Sequence, residues 1–313
     1  MTASIDVVVP VHGNWALTEN CLRSLAAQTV PHRVIVVDDA SPDDTVERLR
    51  AYPDVDVVVL ERNRGFAAAC NRGIAAGEGE TVVLVNNDVT ADPRMLEQLA
   101  AALSANPAAG SAVPLLTRPD GLVDSYGLCA DPTMAGYVRF VGSTVADALV
   151  EPGHRLLGPY GAVAAFRRTA LAEVGTLDEG IFMYGEELDL ALRLSAAGWS
   201  TAPAPDARGV HLGGATSGRV SATQRRRAGF GRGYLLRAYG VGRSRYGLRA
   251  LVTELIVCAG DLVLTRDLAS LRGRWSGWRA GAAAYRRTRS IPGIDASIGF
   301  VASLRLRIGD RRR

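Results

Sequence analysis

Ile5-Asp6-Val7-Val8-Val9-Pro10-Val11 is a nearly continuous apolar run near the start of the chain. Such a run is typical of a strand buried on both faces of a parallel sheet. Further apolar runs follow at residues 34–37, 55–60 and 81–85. Residues with helical spacing separate these runs, and the predicted helices are 15–28, 43–52, 64–76 and 92–105. This alternation predicts an α/β fold with a mostly parallel central sheet flanked by helices.

Two of the predicted strands end in acidic residues, Asp38-Asp39 and Asn86-Asn87-Asp88. In sheets of this kind, ligands bind at the carboxyl ends of the strands. The glycine-rich loops of dinucleotide-binding and P-loop enzymes are missing at these positions. The pattern therefore disfavours a dehydrogenase or a P-loop enzyme and leaves the acidic strand ends as the candidate ligand site.

Residues 110–218 are less regular, and we predict added strands around a cleft at 111–116, 136–141, 162–166 and 200–204, with a short helix at 167–174. Within this region, Gly185-Glu186-Glu187-Leu188-Asp189-Leu190 starts a helix that continues to residue 197. Carboxylates in a first helical turn are stabilised by the helix dipole. They are equally the groups that general-base catalysis requires.

The composition is that of an ordinary globular protein, with 48% hydrophobic and 22% charged residues among 313. The four cysteines are scattered, which predicts neither a zinc site nor a disulfide framework and favours reduced thiols in the cytoplasm. We expect no signal peptide, because the first strand begins within a few residues of Met1. Charged residues interrupt the longest apolar stretch, 248–264, so we do not predict a transmembrane helix there.

The charge is distributed unevenly. Residues 219–313 contain 21 arginines and 5 acidic residues, a net charge of +16, whereas residues 1–218 have a net charge of −12. This asymmetry predicts a domain over 1–218 and a basic helical extension over 219–313. Within the extension, residues 248–263 form an amphipathic helix, arginine-rich helix continues to 289, and a last helix is expected at 295–307. The apolar stripe has two interpretations: contact with an anionic membrane surface, or packing on the domain or on a second subunit.

A set of short motifs resembles family 2 glycosyltransferases, which are inverting enzymes of the GT-A fold. The resemblance covers residues 4–240 and is most similar to bacterial rhamnosyltransferases and galactofuranosyltransferases of cell-envelope polysaccharide assembly. The motifs, in family order, are Val8-Val9-Pro10-Val11-His12, Val37-Asp38-Asp39-Ala40-Ser41, Asn63-Arg64-Gly65-Phe66-Ala67, Asn71, Asn86-Asn87-Asp88, the run from Phe182 to Arg193, and Val210-His211. The family often has Glu-Asp at the acidic helix, where this chain has Glu186-Glu187.

The resemblance implies a role for each motif. A divalent cation, Mg²⁺ or Mn²⁺, would be held by Asp88 and His211. Glu187 is the preferred general base, and Glu186 and Asp189 remain alternatives. The implied nucleotide-binding residues are Pro10, Val11, Asp38, Asp39, Asn63, Gly65, Asn71 and Asn87.

The implied function is transfer of a sugar from dTDP-rhamnose or a UDP-sugar to a hydroxyl of a glycan or lipid-linked acceptor. The alternative is a catalytically silent GT-A domain that acts as a membrane-surface scaffold through its basic tail. Nucleic-acid binding by the arginines is disfavoured, because aromatic residues do not alternate with them. Peripheral attachment to the inner face of the cell membrane and formation of a homo-oligomer both remain open.

Overall fold

A computed structural model of the chain describes residues 4–213, 221–284 and 291–311, with side chains as far as residue 307. The strands in these residues are β1 (Ile5–Val11), β2 (Arg33–Asp38), β3 (Val55–Val59), β4 (Thr81–Val85), β5 (Val89–Ala91), β6 (Ala109–Thr117), β7 (Val123–Ser125), β8 (Leu128–Ala130), β9 (Gly136–Val138), β10 (Val163–Arg167) and β11 (Ser200–His211). The helices are α1 (Trp15–Ala26), α2 (Thr45–Leu49), α3 (Phe66–Ala76), α4 (Met95–Ala105), α5 (Val145–Val150), α6 (Arg168–Val174), α7 (Glu186–Ala196), α8 (Ala222–Ala238), α9 (Gly247–Thr265), α10 (Ala269–Ala280) and α11 (Phe300–Arg311).

The central sheet has the strand order β3-β2-β1-β4-β10-β6-β11-β5, and β7 pairs with β6. The first four strands are parallel, as the sequence predicts. Strand β10 then enters antiparallel to both β4 and β6, and β11 runs parallel to β6 but antiparallel to β5. The predicted α/β class of the fold is confirmed, with a sheet that is mixed beyond β4.

Alternation along the strands places a hydrophobic core on each face of the sheet. In β2, Val34 and Val36 face the core that α1 and α4 cover, whereas Ile35 and Val37 face the core that α3, α6 and α7 cover. The helices on both faces therefore pack on the same strands. The carboxyl ends of the parallel strands β1, β2 and β4 lie at the same edge of the sheet.

Several elements differ from the sequence prediction. Strand β11 continues past Ala204 to His211, with a register shift between Ala204 and Arg208, and its far end pairs with β5. The last helix begins at Phe300 instead of residue 295. Three parts of the sequence prediction lie outside the described residues: the domain boundary at Gly218, the segment 214–217 and the end of the predicted helix at residue 289.

Helices α8 and α10 meet backbone to backbone through glycines. A Cβ atom at Gly277 would lie 1.9 Å from the carbonyl oxygen of Phe230, and one at Gly233 would lie 2.0 Å from that of Arg274. Helix α8 also packs Tyr234 and Leu235 against Leu188 and Leu192 of α7. The basic extension is thereby joined to the helix that carries the acidic cluster.

We expect Gly277→Ala to lower the free energy of unfolding by roughly 1–3 kcal/mol, because the added methyl group must push the two backbones apart. Denaturant unfolding of the full chain measures this change. Gly242→Ala is the matched control, because a Cβ atom there meets open space. Equal stability of the two variants would contradict the close approach of α8 and α10.

Candidate active site

A cleft of about 530 Å³ opens at the carboxyl ends of β1, β2 and β4. The start of α7, the end of β11 and two side chains of α8 complete its walls. The predicted site residues that line it are Pro10, Val11, Asp39, Asn63, Gly65, Asn87, Asp88, Glu186, Glu187 and His211. Of the predicted site residues, Asp38, Asn71 and Asp189 do not line it.

Asp39 fixes the loop that forms one wall of the cleft. Its Oδ1 accepts a hydrogen bond from the backbone N–H of Arg64 at 2.6 Å, and its Oδ2 accepts one from that of Gly65 at 2.8 Å. Gly65 has φ of 88°, and a Cβ atom there would lie 2.4 Å from the carbonyl oxygen of Phe182, so only glycine fits. A carboxylate has further acceptor capacity, so Asp39 retains lone pairs toward the cleft.

The three outlying residues have local hydrogen-bonding roles. Asp38 is buried and accepts a hydrogen bond from the Ser41 N–H. Asn71 donates to the carbonyl oxygen of Leu177 at 2.8 Å and accepts from its N–H at 3.0 Å. Asp189 is fully buried, forms an ion pair with Arg193 at 2.8 Å and accepts a hydrogen bond from the Tyr239 hydroxyl.

The acidic pair sits at the start of α7, directly after Gly185 with φ of 109°. Glu187 is half-buried, and its Oε2 accepts a hydrogen bond from the Gly185 N–H at 3.0 Å. Glu186 is only 4% exposed, and its Oε2 has no hydrogen-bond donor in the described part of the chain. Burial raises the pKa of both carboxyls, and the charge of Glu187 raises that of Glu186 further, well above the usual range.

His211, which also lines the cleft, contacts two carboxylates. Its Nδ1 lies 2.8 Å from Asp124 Oδ2, and its Nε2 lies 3.3 Å from Asp88 Oδ1. Burial opposes the charged form of the imidazole, but the hydrogen bond to Asp124 and the negative charge of Asp88 outweigh it and raise the pKa of His211 to about 9. The protein thus places one buried imidazole between a carboxylate of the β4–β5 turn and a carboxylate of β7.

Sequence reasoning missed Asp124 and the contribution of α8. Asp124 lies in the three-residue strand β7, 87 residues before its histidine partner, and nothing local marks it. Gln224 and Arg227 of α8 line the cleft from the basic extension. The guanidinium of Arg227 stacks over the ring of Phe182 at 4.5 Å. For the two α8 residues, the only sequence signal is the run of arginines that begins at Arg225.

The fold is of the predicted GT-A type, and comparisons with known proteins place the chain in a family of glycosyltransferases. The model of glycosyl transferase family 2 matches residues 6–174, more than half of the chain, so the chain belongs to that family. The model of glycosyl transferase family group 2 matches residues 134–286, which include α8 and α9.

Among similar proteins is the N-acetylglucosaminyl-diphospho-decaprenol L-rhamnosyltransferase of Mycobacterium tuberculosis. It is 31% identical over 247 residues, which are 71% of this chain and 80% of the relative. The pre-mycofactocin glycosyltransferase of the same organism is 30% identical over 62% of this chain and 39% of its own length. The resemblance to bacterial rhamnosyltransferases is confirmed at the level of the family.

Solved structures resemble the fold over most of the chain. GalNAc-T7 with UDP, GalNAc and Mn²⁺ superposes with a TM-score of 0.62 at 17% identity, over 93% of this chain and 58% of that chain. Residues 1–349 of TarS from S. aureus give a TM-score of 0.54 at 17% identity, over 90% of this chain and 81% of that chain. At such identities the likeness establishes the fold alone.

Proposed function

We propose that the chain is an inverting, cation-dependent glycosyltransferase that moves a sugar from a nucleotide-diphosphate sugar to a hydroxyl of a glycan or lipid-linked acceptor. The observation that carries this proposal is the content of one cleft. The cleft is lined both by two carboxylates of raised pKa at the start of α7 and by the pair of Asp88 and His211. Its volume of about 530 Å³ is suited to a substrate of nucleotide-sugar size.

The donor would lie against the carboxyl ends of β1 and β2. Asp39 and Asn63 offer acceptors and donors to the base and ribose at that end. Arg227 faces the same cleft and forms no ion pair within the described residues. A guanidinium has the donor geometry that a diphosphate requires, so Arg227 is suited to its phosphate oxygens.

The residues present fit a divalent cation. Asp88 Oδ1 is buried and accepts no hydrogen bond among the described residues, although Nε2 of His211 lies 3.3 Å away. An unsatisfied buried oxygen is costly, and a cation shared with Nε2 would remove that cost. Asp124 holds the other ring nitrogen, which is the usual way of orienting a histidine ligand. Asp88 and His211 would therefore hold Mg²⁺ or Mn²⁺.

The rest of the coordination would come from the substrate. Across the described ranges, no group of three or more His, Cys, Asp or Glu side chains is arranged to hold a metal ion. Mg²⁺ and Mn²⁺ bind readily through one or two protein ligands together with phosphate oxygens and water. When bound, the cation stabilises the charge of the departing nucleoside diphosphate.

The base would be Glu187. Its Oε2 is held by the Gly185 N–H, which leaves Oε1 to accept the proton of the acceptor hydroxyl. As that proton leaves, the hydroxyl oxygen forms a bond to the anomeric carbon of the sugar. The bond from this carbon to the diphosphate oxygen breaks, and its electron pair departs with the nucleoside diphosphate. A single displacement inverts the anomeric configuration and needs no nucleophile on the protein.

The buried carboxylates also favour an enzyme over a silent scaffold. An unsatisfied buried carboxylate lowers the stability of a fold, and a scaffold gains nothing from it. Functional sites are where such groups are retained.

The donor and acceptor are proposed from the rhamnosyltransferase relative, whose name specifies a lipid diphosphate acceptor. We infer dTDP-rhamnose or a UDP-sugar as donor and a role in cell-envelope glycan assembly, in the cytoplasm at the inner face of the membrane. Isothermal titration against UDP, dTDP and GDP sugars, with Mn²⁺ present, tests the donor. Tight binding of one sugar nucleotide is expected, and binding of none would contradict the proposal.

Asp124→Asn should weaken the cation site without removing a ligand. We expect the Mn²⁺ concentration for half-maximal transfer to rise by about 10–100-fold, the usual effect of losing a partner that orients a histidine ligand. Asp120→Asn is the control, because Asp120 is exposed and contacts Arg118 and the Leu122 N–H at the surface, away from His211 in the hydrogen-bond pattern. An unchanged Mn²⁺ requirement in Asp124→Asn would show that His211 is not a ligand of the cation.

A further inference from the structure

Helix α9 has its apolar side in solvent and its polar side in the protein. The exposed fractions are 75% for Leu248, 57% for Leu251, 59% for Leu255 and 76% for Val263. These residues belong to the stripe that the sequence identifies as the apolar face of the helix. An apolar face of a surface helix normally packs on the core, so its exposure in α9 marks a contact surface.

A buried ion cluster fixes this orientation. Glu254 is 8% exposed, and its carboxylate accepts from Arg232 of α8 at 2.7 Å, from Arg274 of α10 at 2.7 Å and from Arg307 of α11 at 3.0 Å. Burial would raise the pKa of Glu254, but the three guanidiniums lower it far below its usual range. Rotating α9 to bury its leucines would break these bonds, and losing a partner of a buried charge is strongly destabilising.

The neighbouring helix α10 extends the exposed surface. Trp275 is 63% exposed and Trp278 is 40% exposed, and their rings stack at 5.8 Å. Six arginines in α10, in α11 or near the ends of α9 are also exposed: Arg243, Arg245, Arg266, Arg272, Arg279 and Arg305. None of the six forms an ion pair with a carboxylate in the part of the chain that the structure describes.

We propose that the exposed face of α9, with Trp275 and Trp278, binds an anionic lipid bilayer and lies in its headgroup boundary. Leucine and valine suit the acyl boundary, tryptophan suits the interface, and arginine suits anionic headgroups. In residues 4–213, 221–284 and 291–311, none of the helices qualifies as a candidate membrane span. Pairing with a second copy is disfavoured, because it would bring the arginines of both copies together.

This surface connects to the cleft through one helix. Helix α8 presents Arg227 to the cleft and Arg232 to the ion cluster that orients α9. Attachment at α9 would hold the cleft close to acceptors that are carried in the membrane. Lipid binding itself does not depend on sugar transfer, and the two proposals can fail separately.

The test is co-sedimentation of the full chain with vesicles of phosphatidylcholine alone or with added phosphatidylglycerol, at low and high salt. We expect binding that requires phosphatidylglycerol and weakens as salt rises. The double variant Leu251→Ser, Leu255→Ser should lose at least about tenfold in affinity, because two apolar side chains leave the bilayer.

Val59→Ser is the matched control, because Val59 is an apolar side chain of β3 that is 53% exposed and lies on the edge strand of the sheet. It should bind vesicles like the wild-type chain, and circular dichroism confirms that each variant is folded. Failure of the wild-type chain to bind phosphatidylglycerol vesicles overturns the proposal. So does a dimer in light scattering that the double variant abolishes, because a second copy would then occupy the face.

Discussion

Replacing Glu187 with glutamine is expected to lower turnover by about 10²–10⁴, the usual contribution of a general base. Glutamine keeps the shape of the side chain and can still accept the hydrogen bond from the Gly185 N–H. It cannot take the proton of the acceptor hydroxyl. Donor affinity should stay close to that of the wild type, so the loss falls on turnover alone. Steady-state kinetics with titration of the donor separates the two quantities.

Glu186→Gln is the comparison that assigns the base. If Glu187 is the base, the Glu186→Gln variant should retain much more activity than the Glu187→Gln variant. It should also stabilise the fold at neutral pH, because the raised pKa of Glu186 means that stability is lost as pH rises through it. Turnover within about twofold of wild type in Glu187→Gln, with a large loss in Glu186→Gln, would move the base to Glu186.

The pH dependence gives a second signature of the same base. Burial raises the pKa of Glu187, and a base acts in its deprotonated form. The acidic limb of the rate profile should therefore lie above the ordinary range of a glutamate. In Glu187→Gln this limb should disappear, because the group that titrates has been removed. An unchanged limb would assign it to another group.

Chelation is expected to abolish transfer, and Mn²⁺ or Mg²⁺ should restore it. Asp88→Asn removes the anionic oxygen that faces His211 Nε2, so we expect turnover to fall by at least about a hundredfold, as when one electrostatic contact to developing charge is lost. Excess cation should recover part of the activity. Donor titration with and without Mn²⁺ shows whether the loss lies in binding or in turnover.

Asp147→Asn is the control for this change, because Asp147 is an exposed residue in the first turn of α5 that accepts a hydrogen bond from the Thr144 hydroxyl and does not line the cleft. It should respond to chelator and cation like the wild type. Full activity of the wild-type chain in excess chelator would mean that Asp88 and His211 are a structural pair and that Arg227 alone faces the diphosphate.

The sequence was sufficient for the part of the fold that local pattern determines. Strands β1 to β4 are short, mainly apolar runs, and their order fixes where Asp39 and Asp88 emerge. The far half of β11 was not predictable, because Pro203 and Pro205 interrupt the strand pattern and its partner β5 has only three residues. Pairing with β6 and β5 keeps the chain extended to His211.

The site was predictable only where ordered motifs mark it. The cleft gathers Glu186, Glu187, Asp88 and His211 as the motifs imply, but Asp124 reaches His211 through a contact that no local pattern encodes. Asp189 belongs to the same acidic run and is nevertheless buried against Arg193, because the next helical positions turn away from the cleft.

Helix α9 marks a different limit of sequence reasoning. Its periodicity identifies an apolar stripe but not which side the protein buries. Glu254 decides this, because three arginines from α8, α10 and α11 converge on it. Those contacts depend on the packing of four helices and cannot be read from one of them.

The most direct test of the proposed function is an assay of the full chain with the sugar nucleotide that titration identifies, Mn²⁺ and a lipid-linked glycan acceptor. Mass spectrometry and NMR of the product measure the mass gained and the anomeric configuration. We predict that the acceptor gains one sugar residue with the configuration of the donor inverted, and that Glu187→Gln forms almost no product. A chain that binds the sugar nucleotide but transfers no sugar to any hydroxyl acceptor, or that retains the configuration of the donor, would contradict this account.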